Sequence, residues 1–248
     1  MTESNHSFKF LIIGAGRGGT SLLSGLLDSH PKLEVGFELF AIEYLMGKSF
    51  LNRIFQRKKF IIHDRTAAFK DACIRESKKF SEKLWGNKIT TEQIFGLEDH
   101  NIANPRERVD IIDFFFRESM YDIKIIFILR DGRTCVRSKV KRTGQPFALA
   151  CKRWNFSVQV YRYLKESHNN NITVKFEELL KNPRQVLENI CSFLSIPFEE
   201  KVLKGTRNEK MLPEYRKDTF DLSKIELENI SDEDFTFIKD GLKFCNYI

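Results

Sequence analysis

A glycine-rich loop between a strand pattern and a helix pattern constrains the fold of this chain more than any other feature. The apolar run Phe8–Gly14 is rich in β-branched and aromatic residues and predicts a buried strand. Four leucines between positions 22 and 27 share one face of a helix predicted over Thr20–Asp28, and Pro31 disfavours any helix beyond it. The segment Gly14–Ser21 therefore presents backbone amides at a helix N-terminus, an arrangement that suits a phosphate or a sulfate.

The glycines of this loop fit more than one kind of nucleotide site. Gly14, Gly16 and Gly19 satisfy the G-x-G-x-x-G pattern of dinucleotide-dependent oxidoreductases. The Walker phosphate loop has the same glycine spacing, but Thr20 stands where an ATPase or a kinase has its lysine, which disfavours an ordinary nucleoside triphosphatase. Arg17 weakens the dinucleotide interpretation, because the backbone must approach the pyrophosphate closely at that point. An oxidoreductase and a glycine turn without a ligand both stay open at this stage.

A second segment connects a buried strand to a basic helix. Ile125–Leu129 predicts the strand, and a helix is expected just after Asp131. Arg130 thus lies at the carboxyl end of a strand, where open α/β sheets bind their ligands. Ser138 follows within the helix, among five cations that suit a phosphate: Arg133, Arg137, Lys139, Lys141 and Arg142. The alternative is a solvated basic helix face.

The remaining patterns predict helices that alternate with strands. The expected elements are a helical, basic region from Leu39 to about Lys83, a helix that starts at Asn104–Glu107 and runs through Phe116, a long helix marked by Phe147 to Tyr161, a strand Ile172–Phe176, a helix starting at Asn182, a polar loop or mobile flap over Lys204–Ser223, and a last helix capped by Ser231–Asp234. Strands separated by helices of this length imply parallel strands with crossover helices. Because no linker rich in glycine, proline or serine interrupts the chain, we expect one α/β domain over residues 1–248.

The composition restricts the class of protein. The 248 residues are 42% hydrophobic and include only 13 glycines and 6 prolines, which excludes disorder and collagen. A net charge of +7 suits an anionic ligand, but we find no recognised nucleic-acid-binding motif and no apolar run near the roughly 20 residues of a membrane span. Scattered cysteines and histidines predict reduced thiols and no metal site. Together with an N-terminus that lacks a cationic leader, they predict a cytoplasmic location.

Several motifs together resemble those of the PAPS-dependent sulfotransferases, enzymes that use 3′-phosphoadenosine 5′-phosphosulfate (PAPS) as donor. The glycine loop and the helix after it are similar to the family's first motif, G-x-x-R-S-G-T followed by L-D-x-H-P. Arg130 with Ser138 is similar to its second motif. Further segments that resemble family motifs are Trp85–Lys88, Val174–Leu179 followed by Asn182 and Pro183, and Phe193–Pro197. The layout is most similar to that of the tyrosylprotein and bacterial-type enzymes.

The resemblance implies a three-layer, P-loop-like fold with a central parallel sheet flanked by helices. It also implies sulfuryl transfer from PAPS to an acceptor hydroxyl without a metal. The segment 14–21 would hold the 5′-phosphosulfate, and the motif 130–138 would hold the 3′-phosphate. The cofactor-binding residues implied are Gly16, Arg17, Gly18, Gly19, Thr20, Ser21, Arg130 and Ser138. The C-terminal loop and helix, 204–248, align firmly with no family motif, but the charges of Arg216 and Lys217 make these residues candidates for contact with a cofactor phosphate. A non-catalytic nucleotide-binding protein is a further alternative.

The same resemblance assigns three catalytic roles. Arg17 would cradle the 5′ end of the donor, Lys88 would stabilise the leaving oxygen, and Glu38 would be the general base, as in the tyrosylprotein type. Two alternatives compete with this role for Glu38. The base could be His63 or His100, as in the cytosolic small-molecule enzymes, and the glutamate could instead cap the helix expected after it.

Three positions depart from the family pattern. Gly18 replaces the usual loop serine, Phe176 replaces a tyrosine, and Thr90 stands where a proline is common. No sequence motif indicates the acceptor or the oligomeric state.

Overall fold

A five-stranded parallel sheet forms the centre of the protein. The computed structural model describes residues 6–47, 61–168, 170–227 and 232–248. The strands are β1 Phe8–Gly14, β2 Leu33–Phe37, β3 Leu84–Thr90, β4 Lys124–Leu129 and β5 Asn171–Lys175, in the order β2-β3-β1-β4-β5. The predictions of β1 and β4 are confirmed, and β5 lies one residue earlier than its pattern indicated. The patterns predicted neither β2 nor β3, because Gly36, Gly86 and Asn87 interrupt their apolar runs.

Helices connect these strands. Within the described ranges the α-helices are α1 Thr20–Asp28, α2 Ile62–Ser77, α3 Thr91–Phe95, α4 Asp99–Ala103, α5 Ile111–Asp113, α6 Gly132–Thr143, α7 Phe147–Ser167, α8 Phe176–Lys181, α9 Pro183–Phe193 and α10 Lys239–Phe244. Shorter 3₁₀ or π turns lie at Ala41–Leu45, Lys78–Phe80, Gly96–Glu98, Phe114–Ser119, Glu200–Arg207, Pro213–Tyr215, Leu222–Ile225 and Asp232–Ile238.

The side chains of β1 separate two hydrophobic cores. Leu11 and Ile13 pack into one core with residues of α2 and α7, whereas Phe10 and Ile12 pack into the other with residues of α1 and α9. Because successive side chains of a strand point to opposite faces of the sheet, helices cover both faces. The expected three-layer α/β fold is therefore confirmed.

The expected helix start at Asn104 is wrong. The side-chain amide of Asn104 donates to the carbonyl of His100 at 3.1 Å, so it completes the turn that ends α4 and does not cap a new helix. The next helix, α5, begins later, where the carboxylate of Asp110 accepts from the backbone N–H groups of Ile112 and Asp113 at 2.9 and 3.0 Å. A cap therefore exists, but a different acidic residue supplies it.

The other element predictions have mixed outcomes. The starts of α6 after Asp131 and of α9 after Asn182 are confirmed. The polar segment Lys204–Ser223, predicted as a loop or a mobile flap, is a connection that contains short 3₁₀ turns and neither an α-helix nor a strand. The helical expectation for residues 39–83 holds for α2, whereas residues 48–60 lie outside the described ranges. So does Ser231, the expected cap of the last helix.

The carboxyl ends of four strands meet at one edge of the sheet. Gly14 pairs with Thr90 of β3 and with Ile128 of β4, so the loop after β1 lies between the ends of those two strands. Phe37, at the end of β2, pairs with Lys88. The register alone thus gathers the glycine loop, the start of α3 and the segment after β4 at a common edge.

Candidate active site

The conformation of the loop after β1 depends on its glycines. Arg17 and Gly19 have positive φ angles of 74° and 100°. A Cβ atom on Gly19 would overlap the ring of Phe176, so a side chain has no room there. A Cβ atom on Gly18 would lie 2.7 Å from the backbone carbonyl oxygen of Ala15. Glycine in place of the family's usual loop serine is therefore a requirement of this conformation.

Arg17 and Arg130 join the two predicted anion sites into one unit. Arg17 Nε donates to Ser138 Oγ at 3.2 Å, and Arg130 Nη1 donates to the carbonyl oxygen of Arg17 at 2.9 Å. Arg130 is 7% exposed and lies over the ring of Phe176, with 4.6 Å from its Cζ to the ring centroid. Burial lowers the pKa of Arg130, but an arginine keeps its charge in a protein. Phe176 thus contributes a flat surface for this cation even though it lacks the family tyrosine's hydroxyl.

Glu38 and Lys88 form an ion pair at the ends of β2 and β3. Lys88 Nζ donates to Glu38 Oε1, and the backbone N–H of Glu38 donates to the carbonyl of Lys88 at 2.8 Å. Lys88 is only 5% exposed, whereas the side chain of Glu38 is 32% exposed. The turn after Glu38 is fixed by the buried amide of Asn87, which donates to the carbonyl of Leu39 at 2.8 Å. The helical turn that follows begins at Ala41 and has Phe40 in the capping position, so Glu38 is not its cap.

Glu92 is a site residue that the sequence analysis missed. Its carboxylate pairs with the buried Lys139 and accepts from the N–H of Gly16 at 2.9 Å. Cys135 holds the other side of Gly16, since its thiol donates to the Gly16 carbonyl with 3.6 Å between sulfur and oxygen. Burial raises the pKa of this thiol to about 11, so it stays protonated. Lys139 is therefore paired with Glu92 in this structure, where the sequence suggested a phosphate-binding cation, and burial lowers its pKa to about 7.

The sequence does contain a pattern for the start of α3, the helix that carries Glu92. Thr90 and Gln93 form a capping box, the T-x-x-Q pattern that begins α3. The pattern predicts a helix start at Thr90. It carries no information about the long-range contacts of Glu92 and Gln93.

The C-terminal segment contacts both arginines of the predicted donor site. Arg17 Nη1 donates to the hydroxyl of Tyr215 and lies over its ring, with 4.9 Å from Cζ to the centroid. Arg130 Nη2 donates to the carbonyl of Lys224 at 2.6 Å. Lys217 lines the cleft described below. Arg216 does not, because its guanidinium donates to the carbonyls of residues 209 and 211 of its own segment.

Lys210 anchors this segment to the body of the protein. Its ammonium group donates to Asp28 Oδ1 at 2.7 Å and pairs with Glu34. Asn208 donates to the other carboxylate oxygen of Asp28 at 2.8 Å. These contacts hold residues 208–210 against α1 and β2.

A cleft of about 820 Å³ opens at this edge of the sheet. Most of the predicted site residues line it: Gly16, Arg17, Gly19, Thr20, Ser21, Glu38, Lys88, Arg130 and Lys217. Its apolar walls include Phe37, Ile42, Leu212 and Phe220. The cleft thus combines cations, helix N-terminal amides and three carboxylates, Glu38, Glu214 and Asp221, which suits an anionic donor next to a proton-accepting group.

Neither histidine proposed as an alternative base reaches the cleft. His63 is exposed and packs edge-on against Phe114, with ring centroids 4.5 Å apart. His100 is buried, and its Nε2 is 3.0 Å from the carbonyl oxygen of Glu107.

A sequence model of the sulfotransferase family matches residues 10–200. The chain belongs to the sulfotransferase family. The chain is 26% identical over 229 residues to protein-tyrosine sulfotransferase A of Caenorhabditis elegans, covering 80% of this chain and 53% of the relative. It is 27% identical over 232 residues to protein-tyrosine sulfotransferase 2 of Gallus gallus, covering 82% of this chain and 57% of the relative. The chain thus spans about half the length of the curated relatives it matches.

Solved structures show the same fold. The sulfotransferase domain of the Synechococcus PCC 7002 olefin synthase superposes with a TM-score of 0.62 at 20% identity, covering 98% of each chain. The sulfotransferase domain from the curacin biosynthetic pathway gives a TM-score of 0.60 at 18% identity, covering 97% of this chain and 98% of that chain. The family membership removes the oxidoreductase alternative for the glycine loop. In the described part of the chain, no helix is long and apolar enough to cross a bilayer.

Proposed function

We propose that this protein is an enzyme that transfers the sulfuryl group of PAPS to an acceptor hydroxyl. The observation that carries the proposal is the Glu38–Lys88 pair, which lines the same cleft as Arg17 and the N-terminus of α1. A base, a cation for the leaving group and an anion-binding loop are the parts that this transfer needs.

The residues of the cleft fit an anionic nucleotide donor. Helix N-terminal amides next to Thr20 and Ser21 suit the 5′-phosphosulfate, and Arg130 suits the 3′-phosphate. Ser138 does not line the cleft in this structure, since its hydroxyl accepts from Arg17, and it would have to exchange that hydrogen bond to contact the 3′-phosphate. The cleft volume of about 820 Å³ is within the usual range for nucleotide-sized ligands. Because Arg17, Lys88 and Arg130 supply positive charge where the donor carries negative charge, we propose that no metal takes part.

The chain's own residues divide the chemistry between them. When bound, PAPS supplies the sulfuryl group and the bisphosphate leaving group. Glu38 accepts the proton of the acceptor hydroxyl, since among the carboxylates that line the cleft it is the one paired with Lys88. The other two, Glu214 and Asp221, pair with cations of the C-terminal half of the chain. Lys88 donates to the oxygen on which charge develops, and Arg17 orients the group in transfer. The ion pair holds the base and the cation within one hydrogen bond of each other before any ligand arrives.

The comparisons and the cysteines support proposals for the class of acceptor and for the compartment. We propose a hydroxyl compound as acceptor, with tyrosine one candidate because of the relatives' names. No nucleic acid is proposed as a partner. All five cysteines are buried and free, which supports a reducing compartment such as the cytoplasm.

The experiment is a turnover assay that measures PAP formation from PAPS with four acceptors: a tyrosine-containing peptide, p-nitrophenol, an N-acetylglucosamine oligomer and a long-chain alcohol. Glu38→Gln should lower turnover by roughly 10²–10⁴ with normal PAP binding, because the amide cannot usefully accept a proton. Glu43→Gln is the matched control, since Glu43 is exposed on the next helical turn, and it should behave like the wild type.

Two outcomes would contradict the proposal. Normal turnover in Glu38→Gln together with a lowered melting temperature would show that Glu38 is structural. PAP binding without turnover of any acceptor would favour the non-catalytic nucleotide-binding alternative.

A further inference from the structure

Gln93 is a buried polar residue next to the site, and the roles described so far do not use it. It is 3% exposed and lies in the first turn of α3. Its Oε1 accepts from the backbone N–H of Thr90 at 2.7 Å, and its Nε2 donates to Glu38 Oε2 at 2.9 Å. Both ends of the side-chain amide are therefore engaged, one by the local chain and one by the proposed base.

The chemistry of the groups fixes which way this amide points. A backbone N–H can only donate, so the oxygen of Gln93 must face Thr90. The NH₂ group must then face Glu38, where it can only donate. The assignment of oxygen and nitrogen thus follows from the network around Gln93.

Glu38 is consequently held at both carboxylate oxygens. Oε1 accepts from Lys88 and Oε2 accepts from Gln93. The backbone of Glu38 is fixed as well, through its N–H bond to the carbonyl of Lys88 and a φ angle of 60°. Lys88 alone would leave the carboxylate free to rotate about one contact. The second donor, on α3, fixes its plane relative to the cleft.

We infer that Gln93 is a positioning residue that orients the Glu38 carboxylate for proton transfer from the acceptor, an inference that rests on the proposed function. The same contact explains the departure at Thr90. A proline at this position has no N–H group, so nothing would orient the oxygen of Gln93. Thr90 and Gln93 therefore act together. The backbone N–H of Thr90 sets the direction of the Gln93 amide, and that amide holds the carboxylate of Glu38.

A double-mutant cycle tests this inference with PAPS and the four acceptors named above. Gln93→Met keeps the length of the side chain and removes both hydrogen bonds. We expect kcat to fall about tenfold, the scale of one hydrogen bond to a charged group, with PAP affinity and the KM for PAPS within about twofold of the wild type. In the Glu38→Gln background the same change should have almost no further effect, because Gln93 acts only through Glu38.

A second variant covers the case in which Gln93→Met fails to fold. Thr90→Pro removes the N–H group that orients Gln93, at a strand position whose N–H bonds to the Gln93 side chain. Like Gln93→Met, it should lower kcat while PAP binding persists. Gln185→Met, on the exposed surface of α9, is the matched control and should leave kcat unchanged.

The outcomes separate this inference from the function on which it rests. A strong effect of Glu38→Gln with wild-type kcat in Gln93→Met overturns the inference alone. So does an equal loss from Gln93→Met in both backgrounds, since that would show a role independent of Glu38. Normal turnover in Glu38→Gln overturns the base assignment, and the inference falls with it.

Discussion

The guanidinium of Arg17 donates to the hydroxyl of Ser138 at 3.2 Å, although 121 positions separate the two residues along the chain. Arg17 belongs to the predicted 5′-phosphosulfate loop and Ser138 to the predicted 3′-phosphate motif. The two halves of the proposed donor site are thus in direct contact. An anion that binds at either half exchanges these internal hydrogen bonds for its own.

Arg130 should be the main anchor for the 3′-phosphate of PAP. Arg130→Ala should weaken PAP binding by about 1.5–3 kcal/mol, the scale of a charge-assisted hydrogen bond. Isothermal calorimetry with EDTA present measures this and tests the metal-free proposal together. Arg137→Ala is the control, because Arg137 is exposed on α6, the helix that follows Arg130. Failure of PAP to bind the wild type, or metal-dependent binding, would contradict the proposed donor site.

Lys88 should act mainly in the transition state. Lys88→Met keeps the volume of a side chain that is 5% exposed and removes its charge. We expect turnover to fall on the order of a hundredfold, with much less change in PAP affinity, because charge on the leaving oxygen develops only during transfer. Steady-state kinetics and PAP titration measure the two effects. Equal losses in both would assign Lys88 to ground-state binding.

Tyr215 should compete with the nucleotide for Arg17. Its hydroxyl accepts a hydrogen bond from the guanidinium that we assign to the nucleotide, and we expect that bond to break when the nucleotide occupies the same face of Arg17. Tyr215→Phe should therefore tighten PAP binding by about tenfold, the scale of one hydrogen bond to a charged group. Tyr121→Phe, on an exposed tyrosine elsewhere, is the control. Weaker PAP binding in Tyr215→Phe would mean that the hydroxyl contacts the nucleotide instead.

The stabilisation that Lys210 gives to the C-terminal segment should weaken at acid pH. Burial raises the pKa of Glu34, but hydrogen bonds and charges from Lys210 and Lys83 outweigh it and leave that pKa below its ordinary value. A lowered folded-state pKa stabilises the protein above the ordinary value and loses this contribution as pH falls through the folded value. Lys210→Met should lower the melting temperature by about 2–4 °C at pH 7 and by less at pH 4.

Thermal melts of the wild type, Lys210→Met and the control Lys201→Met measure this difference. Lys201 is exposed on the neighbouring 3₁₀ turn, so its substitution should have little effect at either pH. A Lys210→Met deficit that grows as the pH falls would contradict the sign of the linkage.

The donor-binding elements were predictable because their signals are local. The run Phe8–Gly14, the glycines after it and the leucines of α1 lie within one short stretch, where backbone sterics and periodicity decide the structure. Arg130 and Ser138 were likewise found on one strand-to-helix segment. The assignments of donor-binding and catalytic residues, including Glu38 as the base, stay predictions until the variants above are measured.

Predictions from local sequence patterns were wrong where other contacts decided the structure. Asn104 has the sequence context of a cap, but its amide bonds the end of α4, so Asp110 caps the next helix. β2 and β3 lack an apolar pattern, and their pairing with the rest of the sheet makes them strands. The charge of Arg216 suggested a phosphate contact, but its guanidinium donates to the carbonyls of Glu209 and Met211 in its own segment.

The sequence by itself determined the family, the layered fold and the loop that would receive the donor, because motif spacing and hydrophobic periodicity encode short-range backbone structure. Only the tertiary structure decided which side chains support that loop and the proposed base. Glu92 reaches Gly16 and Lys139, and Gln93 reaches Glu38, through contacts that join segments far apart in sequence. Such contacts depend on strand order and register, which place the ends of β1, β3 and β4 at one edge. No local pattern in the chain specifies them.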